Sequence, residues 1–416
     1  MSKTARILLG LILGAVVGLL LAWLDPELAT RAAAIAQPIG RLWLNALQMT
    51  VVPLVLALVV VGVSTANDAA ASGRVARRAV IVFALVLGAG AAFTILVAPA
   101  AFSLLPRDPQ LIEHLRASVS ADGTLAAPVS LADWFTSIIP VNAIAAAAQS
   151  AMLPLVVFAL FFGFALTRID VARRQLLNGF FQGLSDVMIV IVHWVLWAAP
   201  LGVFALMLAV CAKAGSSVLS ALGWYIAILS AIYIVATLLL YPLAAVFGKE
   251  RLGRFIPGIL PAQVVAASTQ SSLASLPAMV DCARDHLNHP RATSALVLPM
   301  AVSLFRIASP IQYLVVSAFI AWLYGIDVSL MQWVVAAALA VVISLGSVGL
   351  PGQVSFMATN MPVASALGLP LEPLGLLLAV DTIPDVFATV GNVSADMTAN
   401  SIVANGQRET AEANVA

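Results

Sequence analysis

Charge is scarce in this chain. Only 9% of the 416 residues are Asp, Glu, Lys or Arg, while 62% belong to the apolar AVILMFWYC set. A soluble domain carries about 25% charged residues, so an ordinary cytosolic enzyme is excluded. Lys plus Arg number 20 and Asp plus Glu 19, and the resulting net charge of +1 leaves no basic footprint for nucleic acid. Cysteine is nearly absent. Cys211 and Cys282 are expected near opposite membrane faces, which argues against a disulfide framework or a cysteine metal site. No G-x-x-x-x-G-K-[ST] phosphate loop occurs, so the chain carries no ATP motor of its own.

What is abundant is long apolar sequence, with a mean hydropathy of +1.05. At roughly 20 apolar residues per span, a chain of this length has room for about eight to ten membrane helices. The first run, Ile7 to Leu24, follows Lys3 and Arg6 but is too long for a signal-peptide core and lacks a good cleavage site, so it reads as an uncleaved span. Further spans are expected over Leu42–Val63, Ala79–Leu105, Met152–Thr167, Val187–Val210 and Leu222–Phe247. Most Lys and Arg, including Arg74, Arg77, Arg78, Arg173, Arg174, Lys249, Arg251 and Arg254, fall on one side if the N-terminus is cytoplasmic. That bias predicts a multi-pass plasma-membrane protein, the inner membrane in a bacterium, with both termini inside and an extracytoplasmic loop over 106–133.

Hydrophobic continuity breaks in a patterned way in the second half. Pro261 to Val280 is serine-rich, with apolar arms each too short to span, and a similar stretch begins at Val341. Ser272-Leu273-Ala274-Ser275-Leu276-Pro277 resembles Ser344-Leu345-Gly346-Ser347 followed by Leu350-Pro351, which reads as an internal repeat. Unpaired backbone at membrane depth is tolerated only where protein buries it or a wet cavity receives it, so two re-entrant helical hairpins meeting at a polar centre are expected. The alternative is a pair of kinked helices with small-residue packing faces.

Each tip precedes a span with polar residues at membrane depth. In Leu296–Leu323, Arg306 sits mid-span and Pro310 follows, so local unwinding over Phe305–Pro310 is expected. In Leu376–Ala404, Asp381, Asp385, Asn392 and Asp396 are spaced to share one helix stripe with Thr389. Three carboxylates against one arginine cannot stay uncompensated near a bilayer centre, so cations, protons or an amino group must supply positive charge. The competing reading is three protonated or mutually hydrogen-bonded structural aspartates. His193 reads as a hydrogen-bonded core residue, and His286 and His289 lack further ligands for a metal.

In the order of these features the chain resembles the dicarboxylate/amino acid:cation symporters, the glutamate-transporter family. The likeness covers RLWLNALQMTVVPLVLALVVVGVS, GRVARRAV, PVNAIAAAAQSAMLPLVVFALFFGFALT, AAPLGVFAL, both tips and NVSADMTANSIVA. The family's last-span pattern is close to D-x-x-x-D-x-x-R-T-x-x-N-x-x-x-D, matched by Asp381, Asp385, Thr389, Asn392 and Asp396. The resemblance implies an all-α fold of eight transmembrane helices plus two re-entrant hairpins with inverted repeats. It also implies a homotrimer, whose scaffold (1–66 and 134–215) holds a moving transport domain (74–105 and 219–404), with a cytoplasmic tail over 405–416.

Departures from the family pattern bear on chemistry. The last-span arginine is replaced by Ala388, and the family's N-M-D-G-T is here Phe305-Arg306-Ile307-Ala308-Ser309. The third-span hydroxyls that complete a sodium site in the family align with Phe83, Val86 and Leu87. A hard cation needs several oxygens, and these side chains offer none, so one cation site is expected to be lost. Arg306 then either replaces the lost ion or clamps a substrate carboxylate through its guanidinium fork.

The resulting expectation is a secondary active symporter of a small carboxylate or amino acid, working by alternating access in the lipid bilayer. It has no catalytic residues, resident metal or cofactor, and is coupled to sodium ions or protons. Substrate contacts are assigned to Ser271, Ser272, Arg306, Ser309, Gly352, Asp385, Thr389 and Asn392, with Asp381 in support; a helix N-terminus or tip amide would meet a carboxylate. Cation contacts are assigned to Asn392, Asp396, Ser344, Leu345 and Ser347. The rival is a channel or solute sensor that keeps the fold without coupled transport. An intramembrane enzyme lacks an evident nucleophile and base.

Overall fold

The computed structural model describes residues 3–71, 73–106, 136, 138–214, 217–346 and 352–413, and the described residues form helices and no strand. The loop expected over 106–133, apart from Pro106, and Ser347 at the second tip lie outside the described residues. Among the described residues, five helices are long and apolar enough to cross a membrane, or six if one bent pair counts as a span, and four more apolar helices are shorter.

The first half begins with α1 (Lys3–Leu24) and α2 (Pro26–Ala71), continues through α3 (Arg74–Ser103) and the short α4 (Ala143–Ala148), and then α5 (Met152–Leu166), α6 (Val171–Trp197) and α7 (Ala199–Ala214). The run expected as Leu42–Val63 is therefore the interior of a much longer helix, which accommodates Pro38 and Pro53. The run expected as one span over Val187–Val210 breaks at Ala198, between α6 and α7. His193 is exposed on α6, not in the core.

Helix α1 packs on α7 by close backbone approach. Gly10, Gly14 and Gly18 recur every fourth residue and so share a face. A Cβ on them would lie 2.3, 2.5 and 2.8 Å from the carbonyl oxygens of Pro200, Phe204 and Leu208. Small residues at this spacing let helices meet where lipid gives no hydrophobic drive for association. Helix α2 packs on α5, α6 and α7.

The second half comprises α8 (Ser217–Phe247), α9 (Leu252–Thr269), α10 (Ser272–Asp281), a π-helical turn (Cys282–His286), α11 (Arg291–Leu304), α12 (Ala308–Tyr324), α13 (Leu330–Gly346), α14 (Gly352–Ala366), α15 (Pro373–Val380) and α16 (Thr382–Ala413). Helix α16 packs on α8, α9 and α11, and α3 packs on α12. Helices α13 and α14 pack on one another and on α2 and α12.

Helices α9 and α10 form the first hairpin. Gln270 takes the left-handed conformation at φ 50°, ending α9, and the Ser271 hydroxyl accepts the Ala274 N–H to cap α10. The two serine motifs read as a repeat do not occupy equivalent places. Ser272–Pro277 follows its tip in α10, whereas Ser344–Gly346 ends α13 before its tip.

Residues 376–404 are not one straight helix. The axes of α15 and α16 meet at 68°, with Asp381 at the joint. Pro384 explains the bend: it has no N–H for the Val380 carbonyl, and its ring crowds that carbonyl. Asp381 therefore leaves the stripe shared by the later polar residues. Helix α16 also continues without a break from Ala404 to Ala413, into what was expected to be tail.

Candidate functional site

The site is built on two interruptions. Between α11 and α12 the chain unwinds at Phe305–Arg306–Ile307, a shorter break than expected. Pro310 lies inside the first turn of α12, where an N–H has no intrahelical partner in any case. Polar side chains from elsewhere satisfy the loosened backbone. The Ala308 N–H donates to Asn392 Oδ1 at 2.9 Å. The Arg306 carbonyl accepts from the Ser309 N–H at 3.0 Å and from the Ser344 hydroxyl, at the end of α13, at 3.3 Å. Asn392 and Ser344, both assigned to the site from sequence, thus hold the break from two sides.

The second interruption, at Asp381, is held similarly. Gln312 Nε2 donates to both Asp381 carboxylate oxygens at 2.8 Å, and the Tyr225 hydroxyl approaches one of them at 3.5 Å. Gln270, at the first hairpin tip, donates to the Thr382 carbonyl at 3.1 Å. The tip carrying Ser271 and Ser272 is thereby docked beside the start of α16, three residues before Asp385.

Between the interruptions lies a small cavity of about 20 Å³ lined by Arg306, Ser309, Gln312 and Tyr313 on one wall and Asp385, Ala388 and Asn392 on the other, with Tyr233 and Ala308 completing it. A space of this size holds little more than one water. The lining follows from helical spacing: positions 306, 309 and 312–313 face positions 385, 388 and 392. Of the residues assigned from sequence, Arg306, Ser309, Asp385 and Asn392 line the cavity. Thr389 does not; its hydroxyl donates to the Asp385 carbonyl of its own helix at 2.8 Å. Gly352 begins α14, and Leu345 is half-buried in α13.

Asp396 lies three turns beyond Asp385 and is fully buried. Both of its carboxylate oxygens are buried without a hydrogen-bond partner among the described residues. A buried carboxylate in that state needs a cation or a proton. Arg306 and Asp385 line the same small cavity, which brings one guanidinium and one carboxylate to a single buried space. Beside the break the packing is carbon on carbon: Phe83 stacks on Phe305, Val86 and Leu87 are buried with them, and the Ile307 side chain closes over Gly90. Sequence reasoning missed Gln312, Tyr225, Tyr233 and Tyr313. Only the polar character of Gln312 within an apolar run offered a signal.

Comparison with known proteins decides what this arrangement belongs to. Residues 4–405 match the model of the sodium:dicarboxylate symporter family. The chain belongs to that family. It is accordingly a multi-pass plasma-membrane protein and a secondary active symporter of a small solute, and not an enzyme. The chain is 29% identical to the proton/sodium-glutamate symport protein of Bacillus caldotenax over 394 residues, covering 93% of this chain and 90% of that protein. It is 28% identical to the proton/glutamate-aspartate symporter of Escherichia coli over 412 residues, covering 98% and 93%. It is also 28% identical to the neutral amino acid transporter B(0) of Mus musculus over 404 residues, covering 86% and 72%.

Proposed function

We propose that this symporter carries a small carboxylate or an amino acid by alternating access, coupled to protons or to fewer sodium ions than the family fold can hold. The observation that carries the reading is the shared cavity of Arg306, Asp385 and Asn392 beside the unwound break. Asp385 takes an ammonium group, Asn392 and Ser309 supply hydrogen bonds, and the tips at Ser271, Ser272 and Gly352 offer amides to a carboxylate. Thr389 and Asp381 position these groups from behind. Asp396, with Asn392, Ser344, Leu345 and Ser347, holds the remaining coupling cation or a proton. Arg306 serves as a fixed positive charge in place of a lost ion, a role that its place in the cavity with Asp385 supports.

Acidic and neutral solutes are both candidates: relatives are named for glutamate, for glutamate and aspartate, and for neutral amino acids, while Ala388 stands in place of the family's last-span arginine. The packing of α1 on α7, and of α2 on α5, α6 and α7, supports a scaffold over 1–66 and 134–215, with 74–105 and 219–404 as the moving unit, assembled as a homotrimer with cytoplasmic termini. Thermal-shift screening of the purified protein against acidic and neutral amino acids and dicarboxylates, across sodium concentration and pH, tests the reading, because a ligand of the native state raises apparent stability. At least one such solute should raise the melting temperature, more so with sodium or at lower pH. A flat response across all classes would contradict it.

A further inference from the structure

A second buried polar cluster lies away from the solute cavity. Two left-handed residues build it: Lys249 at φ 54° follows α8, and Asn288 at φ 55° follows the π-helical turn. Each reverses the chain and turns the next side chain inward, Glu250 in one case and His289 in the other. The His289 ring is 1% exposed and the Glu250 carboxylate 11%, and His289 Nε2 lies 2.7 Å from Glu250 Oε1. On the opposite side of the ring, Nδ1 lies 2.9 Å from Asn400 Nδ2 on α16. Asn400 Nδ2 also donates to the Ser294 hydroxyl of α11 at 3.0 Å, and the Ser401 hydroxyl lies 3.4 Å from His289 Nε2.

We propose that Glu250, His289 and Asn400 form a proton-binding site distinct from the solute cavity. In this amide orientation Asn400 Nδ2 faces Nδ1 and Glu250 faces Nε2, an arrangement that suits the neutral tautomer with its proton on Nε2. The Asn400 carbonyl oxygen is buried without a hydrogen-bond partner among the described residues. Turning the carboxamide over presents that oxygen to Nδ1, which then has an acceptor for a second ring proton. The Ser294 hydroxyl donates or accepts and so follows either orientation. Proton uptake changes the Glu250–His289 pair from one net negative charge to none, which burial favours.

Lys249, Arg251 and Arg291 are exposed. Arg284 pairs with Asp281 and Asp285, and Arg254 donates to the His286 carbonyl. Asn400 is one turn beyond Asp396 and eight residues beyond Asn392, about 12 Å along α16. A proton here therefore acts on the same helix that carries the cation carboxylate, from outside the cavity.

Nitrogen-15 histidine spectra of the full-length protein in lipid nanodiscs test the site. The ring of His289 should pass from one neutral tautomer to the doubly protonated form within about pH 5 to 8. Its titration should move to lower pH in E250Q, by roughly tenfold or more in proton affinity, because the facing carboxylate is lost. His289→Gln assigns the signal. The triple variant H114Q/H193Q/H286Q leaves His289 as the sole histidine, so the test stands even if His289→Gln does not fold. A ring that keeps one tautomer across that range, or that titrates identically in E250Q, overturns the proposal.

Discussion

The rings of Phe83 and Phe305 stack with centroids 4.8 Å apart and planes 7° from parallel, joining α3 to the break before α12. Both are almost wholly buried. Carbon faces held this close leave no oxygen cage for a hard ion, which requires several ligands at about 2.3 to 2.6 Å. Sodium use per solute should therefore fall below three. Reversal potentials in proteoliposomes measure that ratio, and a ratio of three would show that the stack does not abolish a site.

Asp385 and Asp396 should separate on mutation. Asp385→Asn is expected to weaken binding of an amino-acid solute at least tenfold while sodium or proton dependence persists. Asp396→Asn is expected to do the reverse, since its buried oxygens have no hydrogen-bond partner to lose among the described residues. Calorimetric titration of each variant distinguishes them, and equal small effects on both ligands would favour purely structural aspartates.

Arg306→Met removes the positive charge that shares the cavity with Asp385. Uncompensated carboxylates favour protonation, so uptake should shift toward acidic pH or become more dependent on sodium. Uptake by the variant across pH and sodium concentration tests this. If it instead loses affinity for dianionic solutes selectively, with ion dependence unchanged, the arginine is a carboxylate clamp.

Asn392→Ala leaves the Ala308 N–H without its acceptor inside the protein. An unsatisfied buried donor costs about 1–3 kcal/mol, so the apparent melting temperature should drop in the absence of solute as well as in its presence. Differential scanning fluorimetry of the detergent-purified variant measures this. A variant stable on its own but deaf to solute would assign Asn392 to binding alone.

Gly14→Leu should disrupt the α1–α7 contact, because even its Cβ would lie 2.5 Å from the Phe204 carbonyl oxygen. Overpacking of this kind costs typically about 1–3 kcal/mol. Gly88→Ala, where an added Cβ meets nothing within 4 Å, is the matched control. Comparable melting temperatures for the two variants would refute the close-packing account.

Much of the site was legible because it is local in sequence. The carboxylates at 385 and 396 and the amide at 392 follow helical spacing, and an arginine with a nearby proline marked the break. The bend at Asp381 was hidden by treating Asp381 to Asp396 as one helical pattern, although Pro384 carried the signal. The break at Ala198 lacked even that, since the apolar run continues through it. Long-range partners were the least legible: Gln312 and Asp381, or Ala308 and Asn392, meet only after the two interrupted helices pack. The burial of His289 was not legible because it depends on two left-handed residues, Lys249 and Asn288, whose conformations no hydropathy pattern encodes.

Coupled transport is the claim on which the rest depends, and solute accumulation in proteoliposomes tests it most directly. With an inward sodium or proton gradient and a radiolabelled amino acid or dicarboxylate identified by thermal shift, internal solute should rise above its external concentration and collapse when the gradient is dissipated. Equilibration to equal concentrations at the same rate with and without the gradient would contradict the account and identify a channel.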